Sequence, residues 1–406
     1  MEPALPNLRH LRAFCEVADH RSITHAAERV FLSQPAITQA IAKLERQLDI
    51  PLFERLSDGM RPTEAGRLFA HRAGRALELI RNGCQEAIRI GAEPGYHRQS
   101  TVDQLLTATQ LNSLMAVADA RNFSLAARNV GTSQPALHRA ARDLESLMEI
   151  NLFEKTSQGI ELTRAARILV QKVKLAFAEL AQGHAEIAAL SGQDKGIIVV
   201  GSMPLARHGI LPAAINALAR ELPDVRVSVV ASPYAELLHG LRHGELDLLI
   251  GALRDPVPMD DVVQETLFHD PLAIVARAGH PLTSKKRISR DDLAAYPWVV
   301  PRHGTPTRDQ FETLVEGKTT AGGLIESSSI VLIISLLLES DRLTLISHQQ
   351  IRREQDQGLV TTLPYDMRST RRPIGLTTRR DWQPTATQVR FIDLLKESAK
   401  RFANSD

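Results

Sequence analysis

The sequence predicts an α + α/β protein, in which two helical domains of one design precede a larger α/β domain. Residues 11–69 recur at residues 111–169 without a gap, with 24 identities in 59 positions. A stretch of that length found twice indicates a duplicated domain, because a solenoid needs about three or more units. From Gly196 onward, short apolar strands alternate with helical segments, which is typical of a parallel sheet with crossover helices.

Length and composition limit the classes of protein that fit. A chain of 406 residues is long enough for about three domains. The two cysteines, Cys15 and Cys84, are too few for a disulfide framework. The N-terminal segment lacks the apolar core of an export signal, and the longest apolar run, residues 330–338, is far shorter than the roughly 20 residues of a membrane helix. We therefore expect a cytoplasmic protein that does not contact a membrane.

Charge is distributed unevenly along the chain, although the net charge is only +2. Residues 8–92 carry 13 basic and 10 acidic side chains, whereas residues 101–190 carry nine of each. The basic excess therefore belongs to the first repeat. A sequence-tolerant architectural DNA-binding protein depends on phosphate contacts and needs a more basic surface than this.

The first repeat, residues 1–92 (the first copy), has the pattern of a small DNA-binding domain. Helical spacing predicts a helix over residues 8–18 and a second over residues 24–31. Ser33 is suited to cap a third helix, with Pro35 in its first turn. The apolar stripe of this helix faces the core, which leaves an outward face of Gln34, Pro35, Thr38 and Gln39.

These outward residues suit the major groove of DNA. Glutamine can pair bidentately with adenine, and threonine can bond a base edge or contact a thymine methyl group. Residues 52–66 then predict a β-hairpin wing followed by a long helix, with Arg55 and Arg61 available for phosphate or the minor groove. The alternative is that each of these side chains is an ordinary solvated one.

The run AAERVFLSQPAITQAIAKLERQLDIPLFER, with PTEAGR after it, closely resembles the winged helix-turn-helix of LysR-type transcriptional regulators. The resemblance implies a ligand-responsive regulator of catabolic or uptake genes and not an enzyme, with no cofactor. It also implies promoter DNA, a small-molecule effector, a homodimer or homotetramer and, for an activator, RNA polymerase as partners. The DNA contacts of the family fall on Gln34, Pro35, Thr38, Gln39 and Arg55. Position 39 is often arginine in the family, so the target sequence cannot be transferred from relatives.

The second repeat, residues 101–192 (the second copy), keeps the core and the helix cap but differs at its outward edge. Its third helix presents Gln134, His138 and Arg139, whereas Glu161 in its wing replaces Arg61. Two interpretations remain open: a structural or dimerising module, or a second and weaker DNA contact. Residues 64–90 and 163–190 predict linker helices. Plausible seam positions in the first are Leu68, Ala76, Leu77, Ile80 and Ala87, and which linker helix forms the dimer stays open.

Residues 196–406 predict the effector domain. Strands are expected at 197–200, 225–231 and 247–250, with helices at 210–222 and 234–244. A strand over 268–275 should carry the chain into a second lobe, and the return should lie near 372–375. The segments PDVRVSVV, GELDLLIG and GHPL resemble the two-lobed periplasmic-binding-type effector domain of the family. Lobe I then comprises about 196–269 and 374–406, and lobe II about 270–373.

Ligands in such sheets bind beyond the carboxyl ends of the strands. Segments expected to face this cleft supply the candidate effector-binding residues Ser202, Met203, Ser232, Tyr234, His303, Thr305 and Ser328. Several helix N-termini around one pocket suit a sugar or an aromatic carboxylate. The alternative for each serine or threonine is a helix cap.

No metal site is predicted, because His239 and His243 stand four residues apart without a third ligand in view. A rival function is a small-molecule-binding protein whose helix-turn-helix copies serve only oligomerisation. The intact wing of the first copy counts against it.

Overall fold

The computed structural model describes residues 6–56, 59–92, 101–157, 159–192, 196–316 and 322–403. Several predicted turn residues lie outside these ranges: Asp58 in the first wing, Pro94 and Gly95 after the first linker, and Gln193 and Asp194 after the second. The chain divides into two compact units, with the main boundary at Ile197.

The N-terminal unit contains the same order of elements twice. The first copy consists of α1 (Leu8–His20), α2 (Ile23–Val30), α3 (Gln34–Leu48), β1 (Phe53–Leu56), β2 (Gly59–Pro62) and α4 (Glu64–Gly91). The second copy consists of α5 (Val102–Leu105), α6 (Ala108–Ala120), α7 (Phe123–Asn129), α8 (Gln134–Met148), β3 (Phe153–Thr156), β4 (Gly159–Leu162) and α9 (Arg164–Leu190). The strands of each copy pair antiparallel as a hairpin.

Helix α2 is shifted by one residue from its predicted position. It begins at Ile23 because the Ser22 side chain caps it, accepting a hydrogen bond from the backbone N–H of His25. It ends at Val30 because Phe31 takes a left-handed conformation with φ of 54°. Of the five predicted seam positions of α4, Ala76, Ile80 and Ala87 are buried. Leu68 and Leu77 are half-buried.

The C-terminal unit is built around two five-stranded sheets. Its elements are β5 (Ile197–Ser202), α10 (Ile210–Glu221), β6 (Arg226–Val230), α11 (Tyr234–Arg242), β7 (Leu248–Ala252), β8 (Val262–Asp270), β9 (Leu272–Arg277), α12 (Arg290–Ala294), β10 (Trp298–Val300), α13 (Pro306–Val315), β11 (Leu324–Glu326), α14 (Ile330–Leu338), β12 (Leu343–Ser347), α15 (Arg352–Asp356), β13 (Val360–Thr362), β14 (Arg372–Arg379) and α16 (Ala386–Ala403). Short 3-10 turns lie at Pro204–His208, Pro281–Ser284, His348–Gln350 and Arg368–Thr370. The strand orders are β6-β5-β7-β14-β8 and β11-β10-β12-β9-β13.

The prediction of a single strand over residues 268–275 is wrong. The chain leaves the first sheet at Asp270 and enters the second at Leu272, so β8 and β9 are separate strands in different sheets. Pro271 lies at the break, where it has no N–H to donate to either sheet. On the return, Arg372 at the start of β14 pairs in register with Asp270. Helix α11 also ends earlier than expected, at Arg242, and Gly244 beyond it has φ of +75°.

Within the described ranges, no helix is both long and apolar enough to cross a bilayer. The same ranges contain no group of three or more histidine, cysteine, aspartate or glutamate side chains arranged to hold a metal ion.

Candidate functional site

The N-terminal end of α3 is a capped, exposed and polar surface. The Ser33 hydroxyl accepts a hydrogen bond from the N–H of Ala36 at 3.4 Å, as the sequence predicts. Gln34, Pro35 and Gln39 are exposed and Thr38 is half-buried. All four predicted contact residues of α3 therefore lie on one accessible helix end.

Local hydrogen bonds orient part of this surface. The Gln34 amide donates to the Thr24 hydroxyl at 3.2 Å, and the Thr38 hydroxyl donates to the Gln34 carbonyl at 3.1 Å. The side-chain amide of Gln39 makes no hydrogen bond with any residue that the structure describes. Its amide is thus available to pair with a base edge.

The wing places two arginines at an exposed hairpin. Arg61 lies opposite Glu54 in the register and Arg55 opposite Met60. Both arginines are exposed, and neither forms an ion pair within the described part of the chain. The N–H of Met60 donates to the carbonyl of Arg21 at 3.1 Å, which fixes the hairpin against the end of α1.

Sequence reasoning missed Glu45 as a positioning residue. From α3, its Oε1 accepts hydrogen bonds from the N–H groups of Leu52 and Phe53 at 2.8 and 3.3 Å. This carboxylate therefore ties α3 to the start of the wing. In the second copy Glu145 makes the same two bonds, to Leu152 and Phe153. The signal was available, because this glutamate is identical in both repeats.

The second copy presents a comparable surface with different chemistry. Ser133 caps α8, and Gln134, His138 and Arg139 are exposed. The His138 ring packs against Phe123 with ring centroids 4.9 Å apart. Arg139 has no ion-pair or hydrogen-bond partner among the described residues.

In the C-terminal unit, the predicted effector-binding residues have different environments. The Ser202 side chain is buried and donates to the Met203 carbonyl. Ser232 is half-buried and Ser328 is exposed. Thr305 caps α13 by accepting from the N–H of Arg308, as the helix-cap alternative predicts.

His303 is also exposed, and it belongs to a surface ion cluster. Its ring lies 3.2 Å from Glu312 and 3.7 Å from Glu326. The guanidinium of Arg308 contacts the same two carboxylates.

Tyr234 is the predicted effector residue that lies beside a group of partly buried cations. The Arg254 guanidinium lies 4.3 Å from the centroid of the Tyr234 ring. The Arg372 guanidinium donates to the Thr307 hydroxyl at 2.5 Å, and its Nη2 lies 3.6 Å from Asp270. Nη1 of Arg254 and Nε of Arg372 are buried and lack a hydrogen-bond partner among the described residues.

Burial and neighbouring charges shift the pKa values of both guanidinium groups. Burial lowers the pKa of Arg372, and the nearby positive charge of Arg254 lowers it further, whereas Asp270 opposes both effects. Burial likewise lowers the pKa of Arg254, and Asp309 opposes that shift. Thr307, in the first turn of α13, adds a helix N-terminus beside these cations. Buried cationic N–H groups without acceptors are the chemistry that binds a carboxylate.

Both the N-terminal and the C-terminal parts of the chain match models of known protein families. Residues 8–67 and 108–167 each match the model of the bacterial regulatory helix-turn-helix protein, lysR family. Residues 191–400 match the LysR substrate binding domain. The HTH-type transcriptional regulator GalR of Pseudomonas putida is 34% identical over 396 residues, which is 97% of each chain.

Other relatives match a smaller share of this chain. The HTH-type transcriptional regulator PcaQ of Agrobacterium fabrum is 28% identical, and the alignment covers 96% of PcaQ but 73% of this chain. The structure of a full-length OxyR variant from Pseudomonas aeruginosa superposes with a TM-score of 0.52 at 24% identity, covering 75% of this chain and 96% of that one. This likeness confirms the fold.

Proposed function

This chain belongs to the LysR family of ligand-responsive, DNA-binding transcriptional regulators, and from that premise we propose which of its residues contact promoter DNA and which bind the effector. The family consists of regulators and not of enzymes. We infer that the two helix-turn-helix matches are duplicated copies of one domain, in the ranges 1–92 and 101–192. The effector domain then occupies residues 196–406, with lobes divided near residues 270 and 374.

In the first copy, Gln34, Thr38 and Gln39 contact base edges, and Pro35 packs beside them at the helix start. Arg55 and Arg61 contact phosphate or the minor groove. The observation that supports this assignment is the exposed amide of Gln39 on a capped helix, held in fixed relation to the wing by Glu45. The protein acts as a cytoplasmic homodimer or homotetramer, and as an activator it would also contact RNA polymerase.

Binding titrations on a selected promoter fragment test the DNA assignment. Gln39→Ala should weaken specific binding by about 1–3 kcal/mol, the value of one bidentate base contact. Binding to unrelated DNA should hardly change. Gln47→Ala, an exposed position farther along α3, is the matched control.

The same titration repeated across salt concentrations tests Arg55. Loss of one phosphate contact in Arg55→Ala should reduce the salt slope by about one. Arg352→Ala, an exposed arginine of the C-terminal unit, should leave the slope unchanged. A normal slope and affinity in both Gln39→Ala and Arg55→Ala would instead favour the rival function, in which the helix-turn-helix copies serve only assembly.

For the effector, we propose a small carboxylate, bound where Arg254 and Arg372 converge beside Tyr234. The unpaired N–H groups of the two arginines support an anion over an uncharged sugar. An aromatic side chain, Tyr234, beside these cations suits an aromatic carboxylate. We propose that the remaining candidates, Ser202, Met203, Ser232, His303, Thr305 and Ser328, shape the surrounding cleft.

A further inference from the structure

The long helices α4 and α9 pack against each other antiparallel, through equivalent positions of the two copies. A Cβ atom on Gly83 would lie 2.8 Å from Cβ of Lys172, and one on Gly183 would lie 3.1 Å from Cβ of Arg72. Because 83 corresponds to 183 and 72 to 172, each contact is repeated with the copies exchanged. Such reciprocal contacts are the property of a two-fold symmetric pair.

The contact between α4 and α9 is part of a hydrophobic core that both copies share. One continuous hydrophobic cluster contains buried residues of both copies, from Leu8 in the first to Ile187 in the second. The helices approach closely because the seam is rich in small residues. Those that are buried include Ala73, Ala76, Gly83, Ala87, Ala176 and Gly183. The two copies therefore fold as one unit.

A buried polar network makes the pairing specific to one α4 with one α9. The Arg72 side chain is only 3% exposed and lies 2.9 Å from Glu179. The same guanidinium lies 2.5 Å from Glu186, and it donates to Gln182 at 2.9 Å. These three acceptors, Glu179, Gln182 and Glu186, all come from α9.

Two of the three equivalent acceptor positions on α4 differ, whereas Glu86 matches Glu186. Leu79 stands where α9 has Glu179, and Asn82 stands where α9 has Gln182. Two α4 helices from separate chains would therefore deprive Arg72 of its Glu179 partner. Leaving a buried charge short of its partners is strongly destabilising. A pair of one α4 with one α9 is the arrangement that gives Arg72 all three of these partners, and in this structure both helices belong to one chain.

We propose that a single chain is a complete two-fold DNA-binding unit, and that its two copies contact two unlike half-sites of one asymmetric operator. This inference rests on the proposed function of the first copy. The second copy is then a second DNA-binding module rather than a purely structural one. Two-fold placement of the copies requires the half-sites to lie whole helical turns apart.

The chemistry of the two recognition helices predicts how the half-sites differ. Gln39 prefers adenine, whereas Arg139 at the equivalent position prefers guanine. In the wings, Arg55 corresponds to Lys155, but Arg61 corresponds to Glu161. The second half-site therefore depends less on phosphate attraction and more on its bases.

Binding-site selection with the full chain tests the asymmetry. The wild type should select two unlike half-sites. Arg139→Ala should erase a G·C preference in one half only and weaken binding about tenfold, while Gln39→Ala alters the other half. The surface variant Arg352→Ala is the control. If Gln39→Ala alters one half-site and Arg139→Ala leaves both half-sites unchanged, the second copy does not recognise bases. The inference of two unlike half-sites then fails, while the proposed function of the first copy stands. If neither variant changes the selected site, the proposed function fails as well.

Co-expression of the Gln39→Ala and Arg139→Ala chains tests pairing within one chain. Each chain then carries one intact and one impaired recognition helix. If the pair forms within a chain, no pair in the mixture is intact, and affinity for the wild-type operator stays at the level of the variants. Recovery of wild-type affinity in a fraction of the complexes would show that the copies pair between chains, which overturns the proposal.

Discussion

At the residue scale, the proposed DNA-contact surface depends on a small number of local hydrogen bonds. Ser33 sets where α3 begins, and Glu45 sets where the wing leaves it. The second copy keeps both devices in Ser133 and Glu145 while its outward residues differ. The side chains that hold the domain together are thus distinct from those proposed to contact bases, so we expect substitutions of the latter to leave the fold intact.

The residue-scale prediction concerns Arg254. Replacing it by methionine removes one cationic donor from the proposed effector site. The affinity for benzoate or 4-hydroxybenzoate, whichever stabilises the wild type in a thermal-shift titration, should fall at least about tenfold. The reason is that a hydrogen bond to a charged group contributes about 1.5–3 kcal/mol. DNA binding without ligand should be unchanged.

Arg352→Met is the control for this titration, because that arginine is exposed and remote in sequence from the proposed site. An undiminished carboxylate response in Arg254→Met would contradict the assignment. A wild type that is stabilised by glucose, and by neither benzoate nor 4-hydroxybenzoate, would also contradict the assignment.

The effector residues also show where sequence reasoning stops. Ser33 and Thr305 were recognisable as caps because a cap and its helix are adjacent in sequence. Arg254 and Arg372 come from distant segments, and each looks like an ordinary surface arginine until β14 returns beside β7. The two arginines come together only in the folded chain, so local sequence patterns do not predict their proximity.

At the element scale, the pairing of α4 with α9 depends on glycine at close approach. Gly83→Ala would place a methyl group 2.8 Å from Cβ of Lys172 and 3.3 Å from Leu169. The helices must separate to accept it, and overpacking of this kind costs about 1–3 kcal/mol. The free energy of unfolding, measured with urea and circular dichroism, should fall accordingly.

Gly74→Ala on the same helix is the matched control. No atom lies within 4 Å of the added methyl group, so only helix propensity changes. Alanine should therefore raise the free energy of unfolding by about 0.5–1 kcal/mol. Equal effects of the two substitutions would contradict close packing at Gly83.

The helices themselves were predictable from the sequence, whereas their pairing was not. Apolar spacing placed α1, α3 and the linker helices within a few residues of their observed bounds. The same spacing suits a linker helix that pairs within its chain or with another chain. The contacts of Arg72 with Glu179 and Glu186 select an α4–α9 pair over a pair of two α4 helices, and those residues are more than a hundred positions apart.

At the scale of the whole molecule, the interface between α4 and α9 makes the free energy of unfolding depend on pH. Burial lowers the pKa of His184 below its ordinary value of 6.5, and its ring packs edge-on against Phe69. Above pH 6.5 the imidazole is neutral in both states and the stability is fully present. As the pH falls below 6.5 the unfolded chain takes up the proton first, so the folded state loses stability.

His184→Gln should flatten this acid-side decline. The measurement is the free energy of unfolding of the full chain, from urea titrations between pH 7.5 and 5. Comparison with the wild type isolates this histidine from others that titrate in the same range. An identical pH dependence in both proteins would show that His184 is not the group responsible.

The intramolecular seam has a consequence for how the protein behaves when it is scarce. Since α4 and α9 belong to one polypeptide, the local concentration of one around the other is set by the chain and does not fall on dilution. The paired recognition helices therefore exist as soon as one molecule has folded, however few molecules a cell contains.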